Sequence, residues 1–230
     1  MTPIVERHGS ILVVRDDIHP GGTKARYLAR LFDQHEEVVY ASPAEGGAQT
    51  ALAHCAREAG KRATIFVAKR AVPHPRALLA KRLGAKVLQV SPGYLSVVQA
   101  RARAYAAARG AFLAPFGVDV PEALEAIAGA ARSLEIAPPE VWCAAGSGVL
   151  ARALAMAWPG ATRHVVQVGR ALAVADVAGA AIHAYPKPFG WAHPAHGPFP
   201  ADRHYDAKAW EVCRRKAGPG ALFWCVTGPA

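Results

Sequence analysis

Ile11-Leu12-Val13-Val14-Arg15-Asp16-Asp17-Ile18-His19-Pro20-Gly21-Gly22-Thr23-Lys24-Ala25-Arg26 is the stretch on which the reading of this chain turns. Four apolar residues predict a buried strand, Pro-Gly-Gly ends it, and Lys24 falls on the first turn of the helix that follows. A lysine held where a glycine turn meets a helix N-terminus lies near positive dipole ends and away from bulk water. Both favour the neutral amine that Schiff-base chemistry needs. The same residue types also begin ordinary solvated surface helices.

Outward from that stretch, strands and helices alternate. Strands are expected at Ile11–Val14, Val38–Ala41, Thr64–Val67, Lys86–Val90, Phe112–Pro115, Val141–Ala144, His164–Val168 and Leu222–Val226. Helices are expected near Lys24–Phe32, Gln49–Ala59, His74–Leu83, Tyr94–Arg109, Val120–Ser133, Gly148–Met156 and Asp206–Lys216. This predicts an α/β fold with parallel sheets. Tyr185 to His204 carries five prolines and no period, which predicts an ordered surface loop or a lid.

The chain has 230 residues, 52% of them hydrophobic, enough for a sizeable core in one compact unit or two small lobes. The start lacks an apolar leader and no apolar run approaches the ~20 residues that cross a bilayer, so a cytoplasmic protein with no membrane partner is expected. Cys55, Cys143, Cys213 and Cys225 lack C-x-x-C spacing and read as buried thiols. His193, His196 and His204 lie in the proline-rich segment, with no regular structure to present them, so no metal is expected. Phe189, Trp191 and Phe199 of that segment read either as base-stacking groups or as a buried plug.

Charge is lopsided. Arg57 to Arg109 holds twelve basic residues against the single acid Glu58, whereas the whole chain holds 27 against 17. The remainder is therefore close to neutral. Such a local field attracts a polyanion, with Lys69, Arg70, Lys81 and Arg82 as candidate nucleic-acid contacts, or simply keeps a solvated face soluble.

Two more glycine sites follow strands and open helices. At Gly146-Ser147-Gly148, small residues and unpaired helix amides suit a phosphate. At Gly46-Gly47-Ala48-Gln49-Thr50, the same geometry suits a carboxylate. Plain tight turns are the alternative at both.

Together and in this order, Gly21-Gly22-Thr23-Lys24-Ala25-Arg26, Gly46-Gly47-Ala48-Gln49-Thr50-Ala51, Gly146-Ser147-Gly148, Tyr205-Asp206-Ala207-Lys208-Ala209 and Leu222-Phe223-Trp224-Cys225-Val226-Thr227-Gly228 resemble the fold-type II pyridoxal-5′-phosphate enzymes. The similarity is to the tryptophan-synthase-β-like group, in the D-cysteine desulfhydrase and aminocyclopropane-carboxylate deaminase branch. It is closer still to short bacteriophage-encoded pyridoxal-phosphate enzymes of thymidine hypermodification. The resemblance implies two α/β lobes with the cofactor between them in a single unit over residues 1–230. The smaller, basic lobe would span about 41–115 and the larger about 1–40 plus 116–230. It also implies Lys24 as the Schiff-base residue, Gly146, Ser147 and Gly148 on the phosphate, and Thr227 on the ring nitrogen. Gly47, Gln49 and Thr50 would bind the substrate, with Tyr94 or Tyr185 as a proton donor.

The implied function is a lyase acting at Cα of an amino acid carried on a modified thymine base of DNA, by decarboxylation or elimination, in a homodimer. Deamination or desulfhydration of a free small amino acid is the alternative. Two rivals stand beside it. One is a phosphoribosyltransferase, in which Asp16 and Asp17 would hold ribose hydroxyls or magnesium and Lys24 would be incidental. The other is a non-catalytic nucleic-acid-binding module.

Overall fold

The structure is a computed structural model describing residues 2–91, 93–195 and 197–229, so His196 lies outside the described residues. It divides into two compact units, one formed by residues up to 26 together with 121–229, the other by 27–120.

The larger unit is built on a six-stranded sheet of β1 (Val5–His8), β2 (Ile11–Arg15), β7 (Glu140–Ala145), β8 (Thr162–Gln167), β9 (Ala181–Ala184) and β10 (Leu222–Cys225), in the order β1-β2-β10-β7-β8-β9. Only β1 runs antiparallel to its neighbour. The central strands β2, β7 and β10 are almost wholly buried apolar runs, as covered parallel strands must be. Helices α5 (Pro121–Arg132), α6 (Val149–Ala157) and α7 (Asp206–Lys216) pack beside it. One core cluster joins Trp142, Val166 and Phe223 of the sheet to Ala209, Trp210 and Cys213 of α7.

The smaller unit holds an all-parallel four-stranded sheet, β5-β4-β3-β6, from β3 (Glu37–Ala41), β4 (Arg62–Ala68), β5 (Lys86–Val90) and β6 (Phe112–Leu113). Its helices are α1 (Ala25–Gln34), α2 (Ala48–Glu58), α3 (Pro75–Arg82) and α4 (Leu95–Arg109). The expected lobe boundary at residue 41 differs from the observed one. β3 pairs with both β4 and β6, so residues 27–40 fold with the smaller sheet.

The described residues of the 185–205 segment form neither helix nor strand. They are held in place all the same. Lys208, with no exposed surface, donates its ammonium protons to the carbonyls of Pro188 (2.9 Å) and Phe189 (3.0 Å) and lies over the rings of Tyr185, Phe189 and Trp191. Phe199 is buried against Trp210 and His8, which makes it a core plug and not a stacking platform. All four cysteines are free and buried, and no group of three or more metal-ligating side chains occurs among the described residues. None of the described helices is long and apolar enough to cross a membrane.

Candidate active site

Register puts the ends of β2, β10 and β7 at one level, since Cys225 pairs with Arg15 and Trp224 with both Val14 and Cys143. The carboxyl ends of parallel strands are where ligands sit in open α/β sheets. The chain leaves β2 through two short 3₁₀ turns, Asp16–Ile18 and Gly22–Lys24. Gly22 has a positive φ of 61°, and a Cβ there would lie 2.2 Å from the carbonyl oxygen of Val226. That close approach lets Thr23 donate its N–H to the same carbonyl at 3.0 Å. The turn carrying Lys24 is thereby tied to the end of β10, next to Thr227. Lys24 itself is partly buried.

Beneath this turn lies a buried charged network. Asp16, with no exposed surface, accepts from Thr23 Oγ1 and Arg26 Nε (both 2.8 Å) and from Trp224 Nε1 (3.1 Å). Asp17 takes a two-pronged bond from Arg15, at 2.8 Å for each prong. Both carboxylates are committed to holding the turn, so neither is presented to a ribose. The phosphoribosyltransferase reading fails on that point.

After β7, Gly146-Ser147-Gly148 turns into α6. Gly148 has φ 90°, and a Cβ there would strike the Asp176 carbonyl oxygen at 2.0 Å. The first amides of a helix lack intrahelical partners and carry its positive dipole end, an arrangement that suits a phosphate.

Two residues that the sequence placed only within a motif prove central. Tyr205 is partly buried; its hydroxyl accepts the N–H of Gly146 at 3.1 Å and donates to Ala144 O at 3.3 Å. Burial pushes its phenol far up, so it stays protonated. Asp206 accepts the N–H of Thr227 on Oδ2 at 3.0 Å, while its buried Oδ1 has no hydrogen-bond partner. Burial raises the Asp206 carboxyl well above the usual range. The N–H groups of Val226 and Thr227 oppose this, and the carboxylates of Asp202 and Asp17 add to it. Their signal in the sequence was a Tyr-Asp pair opening a helix. Their partners are 59 and 21 residues distant.

That raised carboxyl has a measurable consequence. Folded Asp206 keeps its proton at pH values where the unfolded carboxyl has lost it. Stability is therefore lost as pH rises from the unfolded pKa of ~3.9 toward the folded one. Asp206→Asn is expected to melt higher than the wild-type apoprotein at neutral pH, with the gap closing near pH 4. Thermal melts across that range check it, and equal melting at every pH would place a carboxylate there.

The remaining expected site residues lie in the smaller unit. Gln49 is fully buried. Its Nε2 donates to the carbonyls of Pro43 and Ala44, leaving Oε1 unpartnered, so its side chain offers an acceptor and not a donor to a carboxylate. Thr50 Oγ1 donates to Gly47 O at 3.1 Å and accepts from Arg76. These two side chains thus hold their own loop, and the carboxylate site expected here rests on the turn's backbone amides, of which that of Gln49 already reaches Gly46 O at 3.4 Å. Tyr94 precedes α4 and is 73% exposed. In the larger unit, Tyr185 donates to Glu211, with its phenol pushed up to about 12 by burial and that neighbour, which suits packing better than proton donation. His193 faces Glu211 at 3.4 Å.

A lysine on a strand-end turn, a glycine turn at a helix start and a buried acid thus lie at the carboxyl ends of β2, β7 and β10. The chain belongs to the pyridoxal-phosphate dependent enzyme family, whose pattern it matches over residues 1–220. No curated protein matches the sequence. Among solved structures it is similar to an ACC deaminase homologue (TM-score 0.79, 17% identity, covering 95% of this chain and 84% of that one). It is also similar to maize serine racemase (TM-score 0.72, 13% identity, 98% and 87% covered) and to Escherichia coli diaminopropionate ammonia lyase (TM-score 0.63, 15% identity, 95% and 77% covered). The fold is that of fold-type II pyridoxal-phosphate enzymes.

The residues present fit that cofactor. The Gly146–Gly148 cradle has the shape and dipole for a phosphate, and the unpartnered Oδ1 of Asp206 is a buried polar atom in need of a ligand.

Proposed function

We propose that the protein is a pyridoxal-phosphate-dependent lyase acting at Cα of an amino acid. The observation that carries this reading is the tie between the Lys24 turn and the Thr227 strand end, at the same sheet edge as the glycine cradle. When bound, pyridoxal phosphate supplies an electron sink for bonds at Cα. Lys24 would carry it covalently and, once released by the substrate amine, take or return the proton at Cα. Ser147 and Gly148 would hold the phosphate, Gly146, whose N–H is given to Tyr205, would shape the turn, Tyr205 would set the position of the cradle, and Thr227 would face the ring nitrogen. The hydroxyl of Thr227 is a neutral partner for the ring nitrogen and, unlike a carboxylate, would not favour the protonated ring, so the sink is weak and elimination is favoured over transamination.

For the carrier of the amino acid, we favour a modified thymine base in DNA. Lys69, Lys81, Arg82, Arg101 and Arg103 are exposed and have no acidic partner among the described residues, whereas Arg70 pairs with Glu45 at 2.9 Å. Unneutralised cations of this number make binding to a polyanion salt-dependent. Charge reversal at Lys69, Lys81 and Arg82 is expected to abolish turnover on DNA while cofactor absorbance stays intact. Mass analysis of amino-acid-modified DNA and of free D- and L-amino acids, incubated with the holoenzyme, identifies bond and carrier together. Salt-insensitive turnover of a free small amino acid would replace the DNA reading with the deaminase or desulfhydrase one.

A further inference from the structure

Trp142, His164 and His183 lie on one face of β7, β8 and β9. Trp142 is in register with His164, and His183 with Val166, so the two histidines point the same way two positions apart along their strands. Both imidazoles stack on the indole, His164 at 4.1 Å and 13° and His183 at 5.0 Å and 19°. The two imidazoles are tilted by 32° to each other, with centroids 5.4 Å apart. His164 Nδ1 and His183 Nε2 are 3.2 Å apart.

We propose that His164 and His183 form a two-imidazole chelate for a borderline divalent transition metal ion of the zinc, nickel or copper kind, clipping the edge strand β9 to β8. Metal–nitrogen bonds of 2.0–2.1 Å meeting at square-planar to tetrahedral angles need two nitrogens about 2.9–3.4 Å apart, and the observed spacing falls inside that bite. Imidazole is the side chain such ions prefer, and it binds them in its neutral form.

The surroundings decide how strong the site is. Glu140 of β7 accepts from Trp142 Nε1 at 3.0 Å and from the N–H of Gly218, fixing the indole floor and placing a negative charge near the pair. Lys216, at the end of α7, lies 3.4 Å from the outer nitrogen of His183 and opposes a cation, but it is exposed and free to swing outward. The proton in the 3.2 Å contact moves to the outer nitrogen of its own ring when the metal arrives, so no net proton is released. Only two protein ligands are present and water fills the other positions, which makes this a reversible clip and not a closed structural centre.

The test uses cofactor-loaded, metal-free protein without an affinity tag, titrated with Ni2+ by calorimetry and with Cu2+ by electron paramagnetic resonance. One equivalent is expected to bind at about pH 7.5 and to be lost near pH 5.5, where imidazoles protonate. His164→Ala and His183→Ala should each weaken binding by at least about tenfold, because losing a ligand costs no less than losing an outer-shell partner. The copper spectrum should show two nitrogen ligands in the wild type and one in each variant. His183 stands on an edge strand, so His183→Ala decides the matter even where His164→Ala fails to fold. Absence of binding in the wild type, or equal binding in His183→Ala, overturns the proposal.

Discussion

Lys24→Ala is expected to bind pyridoxal phosphate only reversibly, to lack the yellow absorbance that borohydride bleaches in the wild type, and to lose turnover by at least about a thousandfold. The size of the effect follows from the two jobs assigned to one amine, covalent attachment and proton movement at Cα. Spectra, intact mass after reduction and initial rates check the two jobs separately. Lys208 is the natural control. It is fully buried, but its ammonium is already bonded to two carbonyls, so it offers no replacement amine. A reduced adduct that persists in the Lys24→Ala protein would assign the anchor to another residue.

Gly22→Ala is expected to cost about 2–5 kcal/mol, combining ~1–2 kcal/mol for a left-handed backbone with ~1–3 kcal/mol for overpacking. The second part comes from the added methyl, which would sit 2.2 Å from the Val226 carbonyl. Gly60 makes the comparison clean: its φ of 65° nearly equals the 61° of Gly22, yet a Cβ there meets nothing within 4 Å. Gly60→Ala should therefore show the backbone part alone. A loss of ~2–4 °C in Tm per kcal/mol separates the two variants clearly in thermal melts. Equal melting of both would mean that the Lys24 turn does not press on β10.

Much of the fold was legible because central parallel strands such as β7 and β10 are nearly continuous apolar runs. The observed β5, an edge strand, and α7 also coincide with the stretches expected from sequence. The two edge strands of the larger sheet escaped notice for the converse reason. Val5–His8 alternates exposed and half-buried residues, three of them polar, and Ala181–Ala184 is two exposed and two half-buried residues that pair on one side only. The smaller unit was drawn too short because a strand's allegiance is set by its neighbours, and the pairing of β3 is not written in its own five residues.

Within the site, the turn glycines were legible because backbone geometry demands them locally. The use of Gln49 and Thr50 inside their own loop was not, since composition cannot say which way an amide or hydroxyl points. Tyr205 and Asp206 were hidden by distance along the chain, and their importance comes from what they touch.

Those last two residues, with Lys208, make the first turn of α7 a shared hinge pin. Tyr205 grips the glycine turn after β7, Asp206 the strand end beside Lys24, and Lys208 the proline-rich segment. Three parts of the larger unit are thus geared to a single helical turn. Fraying of that turn would disturb cofactor retention and the neighbouring loop together, well before the sheet itself came apart.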